Sequence, residues 1–180
     1  DADRNLMSPD PGFHWAPYPE GTSLSFLTEP LTEDRVMVGT GSVDLWVRST
    51  APDVDLEVDL TEVRPDGQET YVQSGWLRAS RRALDPSQST ELRPFPTQRE
   101  DDAEPLPADE FVPARVQLYP FAHVFRAGSS LRLTVKQPGG NRTLWSFAIL
   151  GYDTPQQVDI AHSVGRASSV VLPLQPDVDV

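Results

Sequence analysis

An all-β sandwich is the fold class this sequence predicts, on three observations. Apolar and polar residues alternate through several runs, most clearly between Gly41 and Arg82, the pattern of strands with one buried face. Tight-turn signals such as Pro65-Asp66-Gly67 separate the runs at the spacing of hairpins. Prolines number 18 in 180 residues, about twice the usual share, and no segment sustains a 3.6-residue apolar period. Proline interrupts helices and central strands alike, so the chain reads as short strands joined by long loops.

Residues 1–22 read as an irregular segment punctuated by Pro9, Pro11, Pro17, Pro19 and Gly21, with Phe13, Trp15 and Tyr18 among them. These aromatics either fold back onto the sandwich or form a docking surface for a partner domain, since large apolar patches mark interfaces. The body of the domain is expected over 23–175. Leu24 to Leu31 reads as its first strand. Val36 to Val38 and Ser42 to Ser49 follow, with a bulge or bend at Gly39 and Gly41. In the second of these, Val43, Leu45 and Val47 share one face, and Asp44, Trp46 and Arg48 the other. In the next strand Leu56, Val58 and Leu60 point one way and Asp55, Glu57 and Asp59 the other, with a phase shift, read as a bulge, expected near Thr61 and Glu62 before Val63. Tyr71 to Ala79 is the returning strand.

Residues 85–113 form a long Pro-rich loop whose acidic middle, Glu100 to Glu104, is expected to be flexible; loops above about 12–15 residues are usually functional or flexible. Arg115 to Tyr119, His123 to Arg126 and Ser130 to Lys136 read as further strands, the last with Leu131, Leu133 and Val135 on one face. Pro138-Gly139-Gly140-Asn141 is a turn. Leu144 to Tyr152 reads as either strand or loop. Val158 to His162 and Ser169 to Leu174 close the sandwich, and 176–180 is a tail.

Composition removes several function classes. Acids outnumber bases 27 to 15, a net charge of −12, whereas nucleic-acid binding needs clustered Lys and Arg. No apolar run approaches the roughly 20 residues that span a bilayer. There is no cysteine, so disulfides and thiolate metal sites are excluded; the compartment stays open, with a slight lean to the cytoplasm. The chain opens on Asp1 rather than Met, which predicts processing or excision from something longer.

No catalytic signature emerges. There is no Gly-x-Ser-x-Gly elbow, no His-Glu-x-x-His and no phosphate-binding glycine loop, and none of the three histidines, His14, His123 and His162, neighbours a plausible nucleophile. Each is expected to be a structural side chain at a sheet surface or interface. The ladder Asp53, Asp55, Glu57, Asp59 is expected to be a solvated outer face that discourages edge pairing; a Ca²⁺ site through Asp53 and Asp55 and a glycosidase-like acid pair are the alternatives. No metal or other cofactor is expected. Asn141-Arg142-Thr143 fits the glycosylation sequon. Trp46 and Trp76 fall on or beside strands, where an exposed ring would stack on a sugar and a covered one would pack against another layer.

Four stretches carry a resemblance. They are Ser25 to Gly39, Val43 to Leu56 with Ala51-Pro52-Asp53-Val54-Asp55, Leu60 to Gly67 continuing through Ser74-Gly75-Trp76-Leu77-Arg78-Ala79-Ser80-Arg81, and His123 to Leu133 with Ser168 to Leu174. In this order they resemble the C-terminal domain of the X-Pro dipeptidyl-peptidase and cocaine-esterase family of serine hydrolases, over about Leu24 to Leu174. Two places depart from the family pattern: Gly128-Ser129-Ser130-Leu131-Arg132, where Gly-His-Arg is common, and the loop from Gln137 to Trp145. The resemblance implies a jelly-roll β-sandwich, galactose-binding-domain-like. It also implies a non-catalytic role: packing on an upstream α/β-hydrolase domain of the same polypeptide, which carries the Ser-Asp-His triad, and helping to shape its substrate cleft. Phe13, Trp15 and Tyr18 are then the interface candidates. The alternative is a free-standing carbohydrate-binding module using Trp46 or Trp76; a protein–protein adaptor or homo-oligomer is also left open.

Overall fold

The computed structural model describes residues 18–139, 148–176 and 178. Among them are ten strands and a single 3₁₀ turn at Ala79–Arg81. The strands are β1 (Ser23–Leu27), β2 (Arg35–Ser49), β3 (Asp55–Val63), β4 (Glu69–Arg78), β5 (Val112–Phe125), β6 (Ser130–Lys136), β7 (Val158–Ile160), β8 (His162–Ser163), β9 (Arg166–Ala167) and β10 (Ser169–Val171). Two four-stranded antiparallel sheets result. One has the order β1-β6-β3-β4; the other has the order β10-β2-β5, with β7 also pairing β2. The chain is thus an all-β sandwich.

The core forms where the alternation places it. Val43, Leu45 and Val47 of β2 and Leu56, Val58 and Leu60 of β3 are buried against Ala114, Val116, Leu118 and Phe125 of β5 and Val135 of β6. Each fully buried Val or Leu contributes about 1.5–3 kcal/mol relative to an exposed one. Leu131 and Leu133 join this face.

The strand boundaries differ from the sequence expectation in instructive ways. The first strand ends at Leu27 rather than Leu31; beyond it Thr28 still pairs with Leu131 through its backbone and its hydroxyl, but Pro30 has no N–H to continue the ladder. Val36–Val38 and Ser42–Ser49 are one strand, with the register shift between Gly39 and Gly41. Arg115–Tyr119 and His123–Phe125 are likewise one strand, and Arg126 lies just beyond its end. β5 tolerates Pro113 and Pro120 because it is an edge strand, and only β2 pairs with it. The extra residue of the β2–β5 bulge lies on β5, where Gly39 faces Phe121 and Gly41 faces Leu118.

The bulge expected near Thr61 is present as a break in the β3–β4 register, but β3 itself carries no phase shift. Its register with β6 is unbroken from Glu57 to Val63, and the irregularity between Leu60 and Thr61 is in the pairing with β4, which carries the extra residue. The inward row simply continues into Glu62, which is 2% exposed and reaches the other sheet. It pairs with His123 Nε2 at 2.9 Å and accepts the Arg126 N–H at 3.1 Å. Burial pushes this carboxyl up, but the His123, Arg126 and Ser129 hydrogen bonds outweigh burial and hold it below the usual range. A carboxyl held low in the folded chain contributes stability that is complete above its unfolded value and drains away as pH falls through its folded value. Glu62→Gln is therefore expected to destabilise by about 1–3 kcal/mol near neutrality. The gap should narrow on acidification below about pH 5. Urea titrations across pH test this; a gap independent of pH would refute it.

The acidic middle of the long loop is tied down rather than loose. Glu104 N–H bonds Ser80 O, Leu106 N–H bonds Pro52 O, and Leu106 is buried in the core. Arg82 donates to the Glu104 carboxylate at 2.7 Å. Earlier in the loop, Asp85 accepts from the Ser87 hydroxyl, the Gln88 amide and the Ser87 N–H, which holds its carboxyl at about 2. Long loops avoid disorder when their backbone groups find partners, and here short-range brackets plus one buried leucine provide them.

Candidate functional site

Three arrangements on this scaffold bear on function. The first is a brace at one end of the sandwich. Asp53 Oδ1 accepts from Val54 N at 2.9 Å and Ser80 N at 2.8 Å, and its Oδ2 accepts from the Ser80 hydroxyl at 2.6 Å. Asp55 takes a two-pronged bond from Arg78, at 2.8 and 3.1 Å, and the Leu150 N–H at 2.7 Å. Bidentate Arg–carboxylate pairs are the strong, geometrically specific kind. The Ca²⁺ reading of Asp53 and Asp55 is therefore replaced by a structural one, since protein donors engage both carboxylates. No group of three metal-ligating acids or histidines occurs among the described residues.

The second is a buried ionic cluster on the outer face of the β1-β6-β3-β4 sheet. The solvated-face expectation fails here. β3 is an interior strand, so it has no edge to protect, and Glu57 and Asp59 are 1% and 0% exposed. Lys136 pairs with Glu57 and lies 3.8 Å from Asp59, and also donates to Gly139 O at 2.9 Å. Gly139 N–H bonds Glu57 at 3.0 Å. The Ser74 hydroxyl donates to Asp59 Oδ1 and the Tyr18 hydroxyl donates to Oδ2 at 2.5 Å. The Tyr18 ring lies 4.8 Å from the Lys136 ammonium, a cation–π distance. Burial, then the Asp59 charge, push the Glu57 carboxyl up, against the pull of Lys136 and the Gly139 N–H. Beside this cluster a cleft of about 920 Å³ separates β1 from β7, its described walls including Leu24, Leu56, Val135, Lys136, Val158 and Ile160.

The third is aromatic. Trp46 is partly covered by the Arg166 guanidinium at 6.0 Å, and Arg166 also lies 5.6 Å from Phe111, which Arg48 approaches at 4.7 Å. Trp76 packs in a tilted pair with Tyr119, centroids 5.5 Å apart. Both tryptophans named as sugar-stacking candidates thus contact side chains of the domain itself. Tyr18 also has its hydroxyl engaged within the domain, while Phe13, Trp15, His14 and the Asn141 sequon lie outside the described residues. His123 sits between the sheets on Glu62 rather than at an outer surface, and His162 contacts Phe26, ring centroids 4.7 Å apart.

Residues 9–143 match the family described as X-Pro dipeptidyl-peptidase C-terminal non-catalytic domain. This chain belongs to that family. A Mycobacterium bovis protein named as a serine esterase is 30% identical over 156 residues, covering 85% of this chain and 24% of that protein; a Mycobacterium tuberculosis protein with the same description matches equally. The chain therefore spans about a quarter of these relatives' length. In three dimensions it is similar to a CocE/NonD family hydrolase from Staphylococcus aureus, with TM-score 0.69, 24% identity, 85% of this chain and 30% of the hydrolase. It is also similar to an α-amino acid ester hydrolase, with TM-score 0.64, 21% identity, 87% of this chain and 26% of the other. At these identities the two structures establish the shared fold.

Membership in a non-catalytic family accords with the chemistry. A triad base bonds both a carboxylate and a nucleophilic hydroxyl; His123 has the carboxylate, Glu62, and no serine hydroxyl is among the described hydrogen-bond partners of His123 or His162. In this member of the family, several of the residues that carried the resemblance are structural. Ala51 is buried, Asp53 and Asp55 form the brace, Leu77 is core and Arg78 closes on Asp55. The signal missed by sequence reasoning was Lys136, the one lysine in the sequence, which ends β6 and is the buried partner of the acidic ladder.

Proposed function

We propose that the chain is the accessory C-terminal domain of a longer serine hydrolase acting on acyl or X-Pro peptide bonds. It packs on an α/β-hydrolase domain upstream in the same polypeptide and helps wall that domain's substrate cleft. The observation that carries this reading is the match to a non-catalytic family by a chain that spans a quarter of relatives named as serine esterases. We also read the sandwich as a jelly roll of the galactose-binding-like type; in support, the chain changes sheet at β1–β2, β2–β3, β4–β5, β5–β6 and β6–β7. Phe13, Trp15 and Tyr18 contribute to the packing, Tyr18 from its seat on Asp59.

The test is the mass and activity of the native polypeptide. It is expected to be several times heavier than the 19.9 kDa of this chain. It should hydrolyse a short acyl ester or an X-Pro substrate in a way that a serine-reactive inhibitor abolishes, while residues 1–180 alone turn nothing over. A native product of this chain's own mass that is not a cleavage fragment overturns the reading. Alanine at Phe13 and Trp15 that leaves both stability and kinetics of the full polypeptide unchanged removes the docking role.

A further inference from the structure

β7 and β10 pair with the same margin of β2, at Val47–Ser49 and Ser42–Asp44. Between them the ladder is interrupted opposite Trp46, and residues 161–168 are extruded as the β8–β9 hairpin. Trp46 grips both ends of the extrusion. Its carbonyl accepts the Ala161 N–H at 2.9 Å, and its N–H donates to the Ser168 hydroxyl oxygen at 3.0 Å. That hydroxyl donates in turn to Ala161 O at 2.9 Å. Arg166 lies over Trp46 and Phe111, and His162 lies against Phe26. The stem is thus fixed from several sides.

The tip is apolar and wholly in solvent. Ser163 pairs with Arg166, leaving Val164 and Gly165 as the turn; Gly165 has φ +89°, and Val164 is 106% exposed. The hairpin's charge also opposes that of its domain. From Ile160 to Ser168 the sequence holds Arg166 and His162 and no acid, in a chain of net charge −12. No ion pair to Arg166 occurs among the described residues. A rigidly mounted knob carries a wholly exposed apolar tip beside a guanidinium, the side chain enriched at interface hot spots.

We propose that the β8–β9 hairpin plugs into the hydrolase domain of the same polypeptide, with Val164 in an apolar socket and Arg166 against a carboxylate on its rim. The occupant follows from the charge opposition and from the three quarters of the relatives' length that lies outside this chain; the inference rests on the accessory-domain reading above. A basic hairpin repels a basic partner and is neutral toward an uncharged one, so an acid-rimmed socket is the surface it selects.

The test is hydrogen exchange of the full-length polypeptide, read on peptides covering 160–168. Wild type is expected to protect Ser163 to Arg166. Val164→Asp, at a site too exposed to disturb the sandwich, should speed exchange there about ten-fold or more, since burying a valine is worth that factor. Strands β2 and β3 should remain unchanged. Val164→Ala should have a smaller effect and Arg166→Glu a comparable one. Exchange at the rate of a free hairpin in wild type, or no response to Val164→Asp, overturns the proposal. So does a Val164→Asp variant that splits a homodimer, because the seat is then a second copy. A native polypeptide no longer than this chain defeats the accessory-domain reading itself, whereas a long polypeptide with an unprotected hairpin defeats only this inference.

Discussion

Gly75→Ala is expected to destabilise the domain by about 3 kcal/mol or more, at the top of the usual range for overpacking. An added Cβ at this position would lie 1.9 Å from the Gln117 carbonyl oxygen and 2.8 Å from its carbonyl carbon. The obstacle is backbone rather than a flexible side-chain end, so relief requires moving β4 away from β5. These are the edge strands at which the two sheets close on each other, held also by Gln73 donating to Pro120 O at 3.0 Å and by the Trp76–Tyr119 pair. Separating them loosens Leu77 and Leu118 together. For a domain this size the loss corresponds to a fall in melting temperature of about 6–12 °C. Gly67→Ala is the control: it has a positive φ of 82° but nothing within 4 Å, so its cost is only the backbone strain of about 1 kcal/mol. Thermal unfolding of the two variants tests the argument. If they lose equal stability, close approach is not what Gly75 provides.

The same glycine shows what the sequence could reveal. A glycine inside a strand pattern signals a bulge or a close backbone approach, so Gly75 was legible as a special position. The identity of the approaching strand was not, because Gln117 is distant in sequence. The inner faces of β2, β3 and β6 were legible because alternation reports directly on a face buried between two sheets. The outer face of β3 was not: Asp55, Glu57 and Asp59 look solvated until the interior placement of the strand and the arrival of Lys136 are known. β5 was split in two because proline is read as a breaker, and its status as an edge strand is a property of topology. The β8–β9 hairpin left no signal, since two-residue strands are too short for alternation to register. Among the candidate site residues, Trp46 and Trp76 were placed on strands correctly, but the Arg166 and Tyr119 side chains they contact come from elsewhere in the chain.

Lys136→Met is expected to cost about 3–5 kcal/mol near neutral pH, the usual penalty for breaking a buried ion pair from one side. The ammonium and both carboxylates are at most 2% exposed, so the Glu57 and Asp59 charges would lose their buried cation where water cannot replace it. The pH dependence gives the argument its sign. Burial and the Asp59 charge already raise the Glu57 carboxyl, and Lys136 is among the causes opposing them. Without Lys136 the carboxyl rises further. A carboxyl raised in the folded state contributes stability that is fully present below its unfolded value, about 4.3, and lost as pH rises through the folded value. The variant is therefore least impaired in acid and most impaired above the raised Glu57 value, a window that moves upward with the substitution. Glu62 acts in the opposite direction, so the two buried carboxyls are separable by the sign of their pH response. Adding Glu57→Gln to Lys136→Met should recover part of the loss, since an amide in that site carries no charge to desolvate and can still accept the Gly139 N–H. Denaturant unfolding of the single and double variants between pH 4 and 8 decides the matter. A single variant within about 1 kcal/mol of wild type, the range of exposed ion pairs, would mean that the cluster is reached by solvent. A double variant no better than the single would mean that the Asp59 charge, still without its cation, carries the loss.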